Sequence, residues 1–396
     1  MITKDFVLKL FESSYIQRWN DKLRPIEFSE IDKHSHKLFI AYLLGRFQEK
    51  RKKISWNALI EGSLFECLEK IVLTDIKSPV LYAIRKRPDQ YRKLMDFVVS
   101  ELAPLLESVD GPFKERFIQH LENEDTTEEK RILSAASILA STWEFDIIER
   151  ANPHGFEMPQ IREALFVRLR EYDDLEGIQE IQKSKDLQAF IDLCGQLRFQ
   201  TRWAHVHRIP KTSVLGHCYF VAMISYLYSL SLGACDKRVY NNTFAGLFHD
   251  VPEVLTRDII APVKRSSEGL RELIVEYEKE QMTKIVYPLL PAFFHDEIHL
   301  FTELEAVNSI EEKGRRRIVG LDETNRLYNT DEYDACDGQI VKAADELSAY
   351  IESIEALKNG CVSEKFIEAK AMVSQKYILK GIEGGLDFGA LYREMI

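Results

Sequence analysis

His217, the adjacent pair His249-Asp250 and Asp345 are imidazoles and carboxylates, the two kinds of side chain that together hold a divalent first-row metal. Four such ligands leave coordination positions for water and for a substrate, so the chemistry they suggest is metal-assisted hydrolysis. A His-Asp dipeptide alone says little, since the chain carries another at His295-Asp296. That one lacks a glutamate three residues after its aspartate and an acid eight after it, and it reads as a solvated helix end. His249-Asp250 instead closes the apolar helical run NNTFAGLF at 241–248, where charged groups without partners would be costly to desolvate. Pro252 suits the first turn of a new helix, which would bring Glu253 toward the same place. Asp345 lies beside Ile340, Val341, Ala344 and Leu347 of another helical stretch, again a poor position for a lone carboxylate.

The helices that must position these groups belong to a repeat. IQRWND from Ile16, HKLFIAYLL from His36 and SLFECLEKIVLTDIKSPV from Ser63 are answered, in the same order, by FQTRWAH from Phe199, HCYFVAMIS from His217 and GLFHDVPEVLTRDIIAPV from Gly246. Arg18 and Arg202 stand 184 residues apart, whereas RILSAASILAS and QIVKAADELSA, starting at Arg131 and Gln339, stand 208 apart. The second copy therefore carries an insertion, placed at the polar stretch 314–338 and expected to be a loop or lid. In this alignment Glu66 and Cys67 face His249 and Asp250, Ser137 faces Asp345, and only His36 survives opposite His217. The first copy keeps the helical pattern without the metal set. Apolar positions recur at three- and four-residue spacing and no period-two runs stand out, which predicts an all-α architecture of tandem helical bundles. The polar segment 173–185 divides a degenerate domain, 1–180, from a catalytic one, 186–396.

Composition sets outer bounds. The 396 residues are 45% hydrophobic and 30% charged, enough for more than one ordinary core and too apolar for extended disorder. A net charge of -11 argues against a nonspecific grip on duplex nucleic acid. Six cysteines without a CxxC pair and a polar amino terminus point to a reducing cytoplasm. No run of 18 consecutive apolar residues predicts a membrane span.

Arg202-Trp203, His217 fifteen residues on, HDVPEVLTRDIIAPVK and VKAADELSAY together resemble the HD-domain metal-dependent phosphohydrolases, and within them the bacterial 5'-deoxynucleotidases, over about 187–360. The resemblance implies that His217, His249, Asp250 and Asp345 hold one divalent metal, manganese or cobalt among the candidates, and that Glu253 orients or deprotonates the attacking water. It implies a (deoxy)nucleoside 5'-monophosphate as substrate. Arg202 would clamp the phosphate, Lys264 would add positive charge, Trp203 would crowd a 2'-hydroxyl, and Asp258 would accept a bond from the sugar 3'-hydroxyl. Two departures stand out. Relatives often have a glutamate before the first ligand histidine, where this chain has Gly216, and they tend to pair as dimers of one domain. Here the degenerate copy is expected to supply the partner surface in cis as a pseudo-dimer, which leaves room for a homo-oligomer of whole chains. Two alternatives compete with this reading. One is a relative acting on nucleoside triphosphates, guanosine alarmones or cyclic dinucleotides, with His295 and His299 serving a second metal; the other is a non-catalytic nucleotide sensor.

Overall fold

The computed structural model describes residues 2–396 except 75, 110, 123–126, 258, 260–262 and 264–266. Its first half contains α1 (Lys4–Phe11), α2 (Glu30–Gln48), α3 (Trp56–Leu73), α4 (Ser78–Arg85), α5 (Pro88–Leu106), α6 (Phe113–Glu122), α7 (Glu128–Ala151), α8 (Met158–Arg170) and α9 (Glu176–Lys183). The second half runs through α10 (Lys185–Gln196), α11 (Val214–Ser231), α12 (Asp236–Phe248), α13 (Glu253–Thr256), α14 (Leu270–Gln281) and α15 (His295–Glu303). After α15 come α16 (Leu321–Leu327), α17 (Gly338–Lys358), α18 (Glu364–Lys380) and α19 (Ala390–Met395). The expected all-α tandem architecture is what the structure shows.

One hydrophobic core runs through both halves. At its centre α2 packs on α11, with α3, α7 and α9 around α2 and with α12 and α17 around α11. Helix α11 is apolar on every face, and such a helix must be covered all round. By length and composition alone it could cross a bilayer, nearer to a spanning segment than the sequence suggested, but its neighbours bury it.

Both central helices start the same way. Ser29 accepts a bond from the Asp32 amide and Ser213 from the Gly216 amide, each as an N-cap. Each serine also closes the preceding loop through a bridge, Gln17 to Ser29 and Thr201 to Ser213. In each loop a tryptophan takes a positive φ, 55° at Trp19 and 58° at Trp203. The contacts between halves are reciprocal. Tyr15 donates to Glu355 of α17 at 2.8 Å, while its counterpart Phe199 stacks on Trp143 of α7 with centroids 5.9 Å apart. Glu355 and Trp143 stand 212 residues apart, one helical turn off the 208-residue offset, so the halves meet in an approximate rather than strict two-fold arrangement.

Two expectations needed correction. Residues 173–185 are not a polar connector. Leu175, Ile178 and Ile181 are buried, and Gly177 brings α9 so close to Leu44 that a Cβ there would lie 2.8 Å from the Leu44 Cα. The chain turns at Ser184, which ends α9 and caps α10. The insertion is not a bare loop either. β1 (Asn308–Glu312) pairs with β2 (Arg315–Ile318) and with β3 (Cys336–Asp337), antiparallel in both cases. Lys313 and Gly314, at φ 53° and 73°, make the tight turn that the strand twist favours. Ile310, Val319 and Ala335 form a small core under this sheet, and the buried Arg238-Asp337 pair (2.6 Å) ties it to α12.

Candidate metal centre

His217 sits in the first turn of α11, where the Ser348 hydroxyl of α17 meets its Nδ1 at 2.9 Å and leaves Nε2 facing inward. His249 closes α12. Its Nδ1 lies 2.9 Å from the Gly246 carbonyl, an acceptor only, so that nitrogen carries the proton and Nε2 presents a lone pair. Gly246 matters here for its size. A Cβ at that position would stand 3.0 Å from the Ala222 Cα, so glycine lets α12 lie against α11 and brings His249 within reach of His217.

The two Nε2 atoms are 3.2 Å apart. Asp250 Oδ2 lies 3.4 Å from His217 Nε2 and 3.3 Å from His249 Nε2, and Asp345 Oδ1 lies 3.3 Å from His217 Nε2. Donor atoms from the start of α11, the end of α12 and the inner face of α17 thus converge. Burial, followed by the Arg202 charge, lowers the His217 pKa and keeps the imidazole neutral. Burial would raise Asp345, but His217 and Lys342 outweigh it and hold the carboxyl well below its usual range. Both groups are therefore in a form that can bind a cation, and His217, His249 and Asp345 bring ligand atoms close enough together to hold one. Cys218 lies near His249 and Asp250, but burial holds its thiol well above the ordinary range, so it stays protonated. Glu253 begins α13 one turn past Asp250, its amide donating to the Asp250 carbonyl at 3.0 Å.

Arg202 and Trp203 reach the same region from the 200–213 loop. The Arg202 Nε lies 3.1 Å and 3.3 Å from the two Glu352 oxygens, Trp203 Nε1 donates to Glu352 at 2.9 Å, and Arg208 pairs with Glu352 at 3.2 Å. The Arg202 Nη1 is 3.9 Å from Asp250 Oδ2, so the guanidinium spans from Glu352 to the ligand cluster. Trp203 packs its ring on Phe366 of α18, 5.1 Å between centroids. Asp258 and Lys264 lie outside the described residues.

Two acids escaped the sequence reading. Glu352, two turns after Asp345 on α17, is buried yet held far below the usual carboxylate range by Arg202 and Arg208. A signal existed: Glu144 and Glu352 are 208 residues apart, the spacing of the second repeat block. Glu305 precedes β1, its Oε2 buried without a hydrogen bond, and burial pushes its carboxyl up to about 7 within electrostatic reach of His249 and Asp250. The insertion hid it.

The first half repeats the frame and changes the contents. Arg18 and Trp19 donate to Glu144 at 2.9 and 2.8 Å, as Arg202 and Trp203 do to Glu352. The matched caps Ser29 and Ser213 set Lys33, not His36, opposite His217. The Lys33 ammonium donates to Ser137 at 2.6 Å, at the positions where the other half has His217 and Asp345. His36 instead packs on Trp143, with its Nε2 2.9 Å from the Ile191 carbonyl. His295 is not a solvated helix end, because its Nε2 lies 3.0 Å from both the Tyr287 and Leu290 carbonyls and the ring joins those turns. His299 pairs with Glu303 at 2.9 Å, and among the described residues neither histidine joins the cluster.

Comparison with known proteins finds a separate match in each half. A family model described as "HD domain" matches 194–373, and one described as "5'-deoxynucleotidase YfbR-like" matches 5–175. The deoxynucleotidase-type model thus falls on the half with Lys33 and Ser137. A 5'-deoxynucleotidase of Photobacterium profundum is 26% identical over 175 residues, 43% of this chain and 74% of that protein. Those of Yersinia pestis and Yersinia pseudotuberculosis are 24% identical over 193 residues, 47% of this chain and 81% of theirs.

Proposed function

We propose that this chain, a tandem HD-domain protein similar to 5'-deoxynucleotidases, is a metal-dependent phosphomonoesterase that releases phosphate from (deoxy)nucleoside 5'-monophosphates. The observation that carries the reading is the convergence of His217, His249, Asp250 and Asp345 around one point, with a guanidinium beside it. These four residues would hold one divalent ion, with manganese and cobalt the first to try. When bound, such an ion lowers the pKa of a coordinated water to about 7 and polarises a phosphoryl oxygen.

The chain's own groups have separate tasks. Glu253 accepts a proton from the attacking water and orients it. Arg202 binds two phosphate oxygens with its planar fork, and Glu352 fixes that fork by holding Nε. Trp203, kept in place by its own bond to Glu352, stands against the sugar and disfavours a 2'-hydroxyl. Asp258 and Lys264 keep the tasks that the resemblance implies, contact with the sugar 3'-hydroxyl and added charge near the phosphate. The boundary between the two domains is taken at Ser184, with the first domain acting as a partner in cis.

A phosphate-release screen tests the reading. Deoxynucleoside and ribonucleoside monophosphates are each assayed with manganese, cobalt, magnesium or chelator. Metal-dependent release that favours the deoxy forms supports it. Equal rates on both would leave only the phosphohydrolase class, and no release with any metal would reject the enzyme.

A further inference from the structure

Asp345, Ser348 and Glu352 follow one another at three- and four-residue spacing, so they share one face of α17, and each serves a different part of the metal centre. Asp345 joins the ligand cluster, Glu352 holds Arg202 and Trp203, and the Ser348 hydroxyl lies 2.9 Å from His217 Nδ1. Ser348 and His217 are both buried, so little solvent competes for that contact. The first half shows what changes where the histidine is gone. At the 208-residue offset Glu144 still answers Glu352, but Ser348 is answered by Ala140, in the half where Lys33 stands opposite His217. Both halves keep the glutamate, and only the half with a ring nitrogen to meet has the hydroxyl.

The two histidines are held differently. His249 Nδ1 faces a carbonyl, which only accepts, so its proton is fixed there. His217 Nδ1 faces a hydroxyl, which can donate or accept. On the other side of the ring, His217 Nε2 meets only acceptors: His249 Nε2 at 3.2 Å, Asp345 Oδ1 at 3.3 Å and Asp250 Oδ2 at 3.4 Å. Such a set is satisfied either by a proton on Nε2 or by a cation among the four atoms. With a proton there, the neutral imidazole leaves Nδ1 bare, and Ser348 donates to it. With a cation there, the proton belongs on Nδ1 and Ser348 accepts it, its own hydrogen swinging to the preceding turn of α17 in the manner of helical serines.

Granted the metal assignment proposed for these four residues, we propose that Ser348 is the positioning residue for His217, and that its reversible hydroxyl lets this ligand exchange a proton for a divalent cation at Nε2 without moving the ring. One proton leaves Nε2 for solvent and one from solvent arrives at Nδ1, so the imidazole stays neutral and the exchange balances. A carbonyl in place of the hydroxyl would suit only the cation-bound ring. An alanine there would leave the Nδ1 proton of that form buried without an acceptor, which is costly.

Two measurements on the full chain test this, with zinc as the probe because it is divalent and diamagnetic. Nitrogen-15 spectra of histidine-labelled protein, with the His217 signals identified by their loss in His217→Gln, should show the proton on Nε2 in chelator and on Nδ1 with zinc. His249 should keep its proton on Nδ1 in both. Isothermal titration should give Ser348→Ala a zinc affinity about 10- to 100-fold below that of the parent, with Ser348→Thr, which restores the hydroxyl, recovering most of it. If Ser348→Ala does not fold, the spectra of the parent decide. A His217 proton on the same nitrogen in chelator and in zinc, or a Ser348→Ala affinity equal to the parent's, overturns the proposal while leaving the metal assignment standing. No binding of zinc by the parent overturns both.

Discussion

Gly216 and Asp32 occupy the same position in the two repeats and meet each other at the pseudo-two-fold axis. A Cβ built on Gly216 would lie 2.7 Å from Asp32 Oδ1, and that carboxylate already accepts the Ser213 hydroxyl at 2.5 Å. The glutamate that relatives often carry before the first ligand histidine has no room here, because a carboxylate from the other half fills the space. Gly216→Glu should therefore overpack the axis and cost about 1–3 kcal/mol in urea unfolding. Asp32→Ala/Gly216→Glu should recover part of that loss. A single Gly216→Glu variant as stable as the parent would show that the halves can part at this point.

The metal ligands and Glu253 should separate by what they lose. On the proposed assignment His249→Ala removes a ligand, so phosphate release and metal content should fall together, while circular dichroism stays helical. Glu253→Gln leaves the four ligands in place. It should retain metal by elemental analysis and lose roughly 10²- to 10⁴-fold in kcat, the range for a misplaced or missing general base. Loss of metal in Glu253→Gln would move that residue from proton transfer to coordination.

Glu352 and Glu144 test how far the two halves have diverged in function. Glu352→Gln releases Arg202 Nε from a charged partner, and displacement of a phosphate clamp should raise KM about 10- to 100-fold. Glu144→Gln weakens the same contacts to Arg18, Trp19 and Arg198, so it should lower stability by about 3 kcal/mol. In phosphate-free buffer its KM should stay that of the parent. Equal KM effects from both variants would mean that the first half also touches substrate.

Much of this site could be read before the fold was known because repeats preserve spacing. The 184- and 208-residue offsets pointed to paired loops and paired helices, and Glu144 with Glu352 was there to be read at the second offset. The register of α2 against α11 was misjudged because HKLF and HCYF look alike, whereas the physical anchor is the capping serine of each helix, Ser29 in one frame and Ser213 in the other. Strands β1 to β3 were missed for another reason. They are two to five residues long and buried on a few positions only, too short for an alternating pattern to show. Glu305 followed them out of view, since nothing in the first half corresponds to it.

Lys33 makes the first half's stability depend on pH in a direction opposite to alkali-labile ion pairs. Burial, with Arg18 and Lys37 adding repulsion, lowers its pKa from 10.5 to about 7, although Glu30 and Glu66 pull the other way. Between about pH 7 and 10.5 the unfolded chain therefore holds a proton at this site that the folded chain does not. Stability rises with pH wherever the unfolded state binds more protons, so the cost of burying Lys33 is full below about pH 7 and fades toward about pH 10. Lys33→Met keeps the length and apolar stem of the side chain and removes the charge. The variant should be more stable than the parent at about pH 7 by a few kcal/mol, with the gap closing as the pH is raised to about 10. Melting curves of both proteins across that range check it. A gap that stays constant with pH would mean that Lys33 remains charged in the fold, held by Glu66 and Glu30 as an internal cation in the place where the other half would bind its metal.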